Sequence, residues 1–261
     1  MFKKAFLILI TAILIIEGGG CGMNSNDIAK EQEMFNEWLK EFLEEQELPN
    51  DYSKLNDGQQ YSVKRIYEMI MYLEDKYGIE FEYTGYVRAQ ILENEHLTAI
   101  PKGGNEKTDT VTVTCEDDGT FTDDYQNVAV RPYYEQMITD YVKNYFGSDK
   151  IKVISSISTS ISEFDNISEE KMKGNVYGVN LIFLSYDICS EQKFNEFVKD
   201  YGKWCKKNKY WGKGDIILLN KNHSIDDIDI KKDGYDDFLG KQQYTLRLHC
   251  SVKEGKEISI Y

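Results

Sequence analysis

The stretch from Thr110 to Asp123, TVTVTCEDDGTFTD, limits the fold more than any other part of the chain. Val111, Val113 and Cys115 alternate with threonines at period two, the pattern of a strand with one covered face. Asp118-Gly119 then sits where a tight primed turn would reverse the chain into a second strand. A hairpin here excludes an all-helical fold. The same period begins in IEFEYTGYVRA (79–89) and returns in KIKVISSIST (150–159) and QQYTLRLHCSV (242–252). The last sets Tyr244, Leu246, Leu248, Cys250 and Val252 on one face and Thr245, Arg247, His249 and Ser251 on the other. Such alternation predicts an antiparallel strand with one wet side. VNLIFLSY (179–186) and GDIILLN (214–220) read as covered strands, and HLTAIPK (96–102) and ISIY (258–261) as shorter ones.

Elsewhere the period lengthens to that of a helix. Ile28, Phe35, Trp38, Leu39, Phe42 and Leu43 share one helical face that ends before Pro49. A second helix over Gln59–Tyr77 carries Ile66, Ile70, Leu73 and Tyr77, with Gly78 as its stop. A third opens at Pro132, where a first-turn proline is tolerated, and buries Tyr134, Ile138, Tyr141, Val142 and Tyr145 before Gly147. Ser190 caps a fourth that turns Phe194, Phe197, Val198, Tyr201 and Cys205 inward. Runs of antiparallel strands with separate helices predict an α+β protein: two N-terminal helices, then sheets with packing helices. Strand–helix–strand occurs twice, around 128–154 and 179–219. The expected organisation is a leader (1–20), a polar tether (21–30), an N-terminal helical hairpin plus α+β half (31–147) and a C-terminal α+β half (148–261).

The chain opens MFKK and runs uncharged through AFLILITAILII, residues 5–16, followed by Gly18, Gly19, Gly20 and Cys21. Twelve helical residues rise about 18 Å, short of the ~30 Å hydrocarbon core, so a permanent span is disfavoured. A basic start, an apolar run and small residues leading into a cysteine make a processing signal. This leader resembles a bacterial lipoprotein signal, and the whole chain resembles the acidic, Tyr-rich surface lipoproteins of Gram-positive-type bacteria. Gly18 stands where such signals usually carry an aliphatic residue. The resemblance implies cleavage before Cys21, diacylglycerol on its sulfur, and a protein held on the extracytoplasmic face of the cell membrane. Ordinary secretory cleavage nearby and an uncleaved short anchor are the alternatives. Each buried methylene is worth ~0.8 kcal/mol, so two acyl chains hold where one is marginal.

Removing residues 1–20 leaves 29 basic and 44 acidic residues, a net charge of −15. That balance repels phosphate backbones and anionic headgroups, so nucleic acid is not an expected partner. With 19 Tyr the bulk cannot be disordered. Cys115, Cys189, Cys205 and Cys250 fall in apolar patterns, which favours free thiols over the three pairings that four cysteines allow.

No motif names a reaction. His96, His223 and His249 have no metal spacing, and nucleophile-elbow, phosphate-loop and paired-cysteine signatures are missing, so neither a metal nor a cofactor is implied. His249, on the wet face of its strand, is the candidate base. Tyr210 and Trp211, in KYWGKGD, are candidate stacking surfaces for a sugar, although Tyr201 and Trp204 beside them also suit a core corner. The acidic segment DDIDIKKDGYDD (226–237) fails as a calcium loop, with Lys231 at the third ligand position and Gly240 at the twelfth. Asp117, Asp118, Asp123 and Asp124 read as solvated turn residues. The expectation is a lipid-tethered, non-enzymatic module binding a protein or envelope ligand. An envelope-acting hydrolase and a solute- or carbohydrate-binding lipoprotein are the alternatives.

Overall fold

In a computed structural model of the protein, residues 25–164, 166–229 and 243–261 are described; Cys21, the leader, the side chain of Ile28 and residues 230–237 of the acidic segment lie outside them. The chain divides into two compact units, Met1–Glu68 and Met69–Tyr261. The expected change of region near Gly147 coincides instead with the passage from one sheet to the next.

In the first unit, α1 (Ser25–Glu45) buries Phe35, Leu39, Phe42 and Leu43, the stripe set by their spacing. Trp38 stacks on Phe42 at 4.6 Å, and Phe35 meets Tyr67 edge-on at 4.9 Å. Helix α2 (Asp57–Tyr77) starts with a reciprocal cap: Gln59 N–H donates to Asn56 Oδ1 and Asn56 N–H to Gln59 Oε1, both at 3.0 Å. The division between units falls inside α2, after Glu68.

The second unit is α+β. Strands β1 (Phe81–Val87), β2 (His96–Pro101), β3 (Val111–Cys115) and β4 (Phe121–Asp123) form an antiparallel sheet in chain order. Leu97, Ala99, Val111 and Val113 are buried on one face, where Tyr72 and Tyr77 of α2 meet Phe121 and Phe81. The β3–β4 connection is not the expected primed turn. Gly119 N–H bonds Glu116 O and Glu116 N–H bonds Thr120 O, both at 2.9 Å. Gly119 has positive φ (+83°) but Asp118 does not, so Asp118-Gly119 cannot form the primed turn, and the loop is the three-residue kind closed by a left-handed glycine.

Helix α3 (Tyr125–Phe146) starts seven residues before the expected proline, which places Pro132 inside it. Asp123 Oδ1 accepts the Tyr125 N–H at 3.0 Å and so satisfies the first helical N–H, while Asp124 at the cap position makes no side-chain cap bond. Burial of Val130 and Tyr134 on either side of Pro132 offsets the lost backbone bond.

After Gly147, strands β5 (Ile151–Thr159), β6 (Val176–Leu184), β7 (Trp211–Leu219), β8 (Tyr244–Val252) and β9 (Ser259–Ile260) form the second sheet in chain order. A short helix, α4 (Glu169–Met172), precedes β6. Helix α5 (Glu191–Asn208), capped by Ser190 Oγ, crosses from β6 to β7, which therefore run parallel inside an otherwise antiparallel sheet. This unit is the only one of the two strand–helix–strand segments that closes within one sheet; β4–α3–β5 joins two sheets.

Helices α3 and α5 cover one face of the second sheet, with Tyr134, Ile138, Phe194, Phe197, Ile182 and Ile216 in the core. On the opposite face a smaller cluster, Phe183, Ile217, Leu219 and Ile228, lies under the segment after β7. Both faces of β7 are thus covered at its end, which explains its continuous apolar run. A register shift at Leu218/Leu219 pairs Leu219 with Tyr244 and moves Tyr244 to the opposite face from Leu246, against the simple alternation. The outer edge of β5 is blunted: Ser155 N–H donates to Glu135 Oε2 at 2.7 Å and Thr159 N–H to Asn127 Oδ1 at 2.9 Å. The four cysteines from Cys115 onward are free thiols.

Candidate functional site

Asp215 is the lone acid in the buried run of β7, and an unpaired carboxylate there would be costly. Register sets His249 opposite it and Arg247 opposite Ile217, all on the face away from α3 and α5. Arg247 grips Asp215 with both ends of its fork, Nε to Oδ1 at 2.9 Å and Nη2 to Oδ2 at 2.8 Å. That contact holds the guanidinium pKa above its ordinary value. His249 Nδ1 lies 3.5 Å from Asp215 Oδ1, and its ring stacks on Tyr261 at 5.2 Å. A carboxylate behind an imidazole can orient it for proton transfer. Among the described residues, no hydroxyl or thiol hydrogen-bonds to the His249 ring.

Of the other two candidates, Tyr210 is not a surface residue. It is 2% exposed and packs edge-on against Tyr134 (6.1 Å) and beside Trp204 (5.3 Å). Tyr210 precedes β7 directly, so the chain enters the strand from inside the core. Its hydroxyl has no hydrogen-bond partner among the described residues, the residue lines a space of about 10 Å³, and burial pushes its pKa up to about 12. Trp211, the first residue of β7, is half-buried against the main core and pairs with Tyr177 across the parallel strands. A sugar-stacking pair of Tyr210 and Trp211 is therefore not formed.

The buried polar centre under α3 and α5 is structural in its chemistry. Asn180 Nδ2 donates to the hydroxyls of Tyr134 (3.1 Å) and Tyr201 (3.0 Å), and Ser155 Oγ donates to Asn180 Oδ1 at 2.7 Å. Burial raises both tyrosine pKa values, which keeps the hydroxyls neutral. Gly178 and Gly214 make room for these rings: a Cβ at either would sit 2.7 Å from Tyr134 Cε1 or Tyr201 Cε1.

Asp123 also departs from the solvated-turn expectation. Its side chain is fully covered and accepts from Lys76 Nζ (2.6 Å), Tyr77 Oη (2.7 Å) and Tyr72 Oη (2.8 Å). Burial raises its pKa, but these donors outweigh it and leave the carboxyl below its usual range. The cluster ties α2 to β4 and to the start of α3.

The feature that sequence reasoning missed is the β1–β2 connection. Gln90 and Glu93 exchange backbone hydrogen bonds at 2.9 and 3.3 Å, leaving Ile91 and Leu92 as a two-residue tip. They are 100% and 97% exposed. Two-residue loops favour Gly, Asn or Asp. Neither tip residue has positive φ, so turn chemistry does not select this pair. The signal in the sequence was an aliphatic pair in RAQILENEH that fits neither period. Among the described residues, no group of acids, histidines or cysteines could hold a metal ion, and no helix is long and apolar enough to cross a membrane.

No protein-family model matches the chain, and no curated protein matches it. Among solved structures, the chain is similar to a DUF5037 family protein from Ruminococcus gnavus, at 15% identity and a TM-score of 0.39, covering 64% of this chain and 79% of that one.

Proposed function

We propose that this protein is a lipid-anchored, extracytoplasmic binding module without an enzymatic role, which engages a protein of the cell envelope through the Ile91–Leu92 tip. The observation that carries the reading is the near-complete exposure of both tip side chains. Burying an aliphatic side chain is worth about 1.5–3 kcal/mol, and these two gain none of it within the chain. The leader that ends at Cys21 supports the placement. A photo-crosslinking residue at position 92, introduced in producing cells, should give one discrete adduct that Ile91→Asp abolishes. The same residue at the exposed position 133 serves as control. Identical adducts from both positions, or none from 92, would remove the tip from the reading.

The Asp215–His249 contact favours a second reading, a hydrolase acting on the envelope. The binding reading expects no turnover of envelope-type substrates by the purified protein. Turnover that disappears in His249→Ala, with the melting temperature unchanged, would reverse the order of the two.

A further inference from the structure

The chain is acidic as a whole, yet one end of the second unit is not. Lys203, Lys206, Lys207 and Lys209 crowd the last turns of α5 and its cap, all exposed. Three more exposed lysines join them from other elements. Lys213 lies on β7, whose Gly212 pairs with Val252, one residue before Lys253. Lys253 and Lys256 form the turn after β8, where Lys256 N–H bonds Lys253 O at 3.2 Å. That turn lies against α5: Lys206 Nζ donates to Lys256 O at 3.0 Å, and a Cβ at Gly202 would meet Ile258 at 2.8 Å. Among the described residues, only Lys203 of the seven forms an ion pair, with Asp200 at 3.1 Å. Asp200, Glu254 and Glu257 are the acids beside these lysines; Asp215 of β7 is paired with Arg247, and Glu170 of α4, which feels the charge of Lys209, is paired with Lys173, so positive charges outnumber negative ones at this end.

The helix macrodipole favours lysine in the last turn of α5, which accounts for Lys206 and Lys207. It does not account for Lys213, Lys253 and Lys256, which belong to β7 and to the turn. We propose that this end is a docking face for an anionic, phosphate-bearing lipid surface. Lysine without arginine supplies mobile point charges rather than bidentate forks, which suits many headgroups and not one fixed phosphate. A helix end and a tight turn project outward, so a plane can meet them together. A plane can be met by this end alone, and acids of the remainder act on it weakly wherever they lie beyond a screening length of about 8 Å at physiological salt. A flexible polyanion would extend over that remainder and be repelled. The inference stands without the acyl group on Cys21.

The test compares binding of the full chain to vesicles of phosphatidylcholine and to vesicles that also contain phosphatidylglycerol. Leader and acyl chains act on both kinds, so the difference between them isolates the charged face. The anionic vesicles should bind more tightly, and K206E/K207E/K256E should abolish that preference, weakening anionic binding by about a hundredfold or more. The same three-charge change at exposed Lys40, Lys54 and Lys221 should leave the preference intact. No preference, or one that survives the first variant, would overturn the proposal. Soluble polyphosphate that competes fully at equal phosphate concentration would overturn the choice of a planar surface. Binding to the anionic vesicles with none to phosphatidylcholine alone would count against the anchor and leave the face standing.

Discussion

Two neighbouring aspartates show how far environment separates identical side chains. Asp123 is stabilised as a carboxylate by Lys76, Tyr77 and Tyr72. Asp124 is held up by burial, which its bond from Thr112 N–H (2.7 Å) does not offset. A depressed carboxyl contributes stability that is present above its unfolded value of 3.8 and lost as pH falls through the lower folded value. A raised carboxyl has the opposite sign and weakens the fold once it ionises. Asp123→Asn should therefore cost about 2–3 kcal/mol at neutral pH, with the deficit shrinking in acid. Asp124→Asn should raise the neutral-pH melting temperature and lose that advantage in acid. Thermal melts of both variants across pH check the pair, and parallel curves would refute the assignment. Nothing local in EDDGTFTDD separates these aspartates, because Tyr72, Lys76 and Tyr77 come from a helix some fifty residues earlier.

At the scale of elements, helix α3 supports the second sheet twice, from above and from the side. Its stripe was legible: Tyr134, Ile138 and Val142 are buried as their spacing predicts. Ile138→Asp places a carboxyl with no partner in that core and should cost several kcal/mol. An unchanged melting temperature would mean that α3 faces another way. Its lateral role was not legible, because Glu135 and Asn127 read as ordinary polar positions. Removing their caps in Asn127→Ala/Glu135→Ala leaves two outward N–H groups on β5 unpaired. The variant should associate edge to edge, seen by light scattering as a concentration-dependent rise in mass that the parent lacks. Strand and helix existence came from periodicity, whereas the β6–β7 direction and the Tyr244 shift depend on partners far along the chain. The candidate site was half-visible for the same reason: His249 lay on a predicted face, but Asp215 and Arg247 became its companions only through the β7–β8 register.

For the whole molecule, the expectation with the widest reach concerns Cys21. In native protein from producing cells, mass spectrometry should find Cys21 at the N-terminus with the added mass of two acyl chains. Cys21→Ser removes the sulfur that takes the lipid, so both modification and cleavage should fail and the precursor should accumulate. An unmodified mature chain that starts elsewhere would end the anchor reading. The arrangement of the three tryptophans adds a practical consequence. Trp38 lies in the first compact unit, stacked on Phe42. Trp204 and Trp211 lie in the second, and Trp204 stacks on Tyr141 at 4.1 Å. Each unit therefore carries its own intrinsic fluorophore. In Trp38→Phe all indole emission comes from the second unit, and in Trp204→Phe/Trp211→Phe all of it comes from the first. Denaturant titrations of the two variants would record the melting of each half separately, without any attached dye.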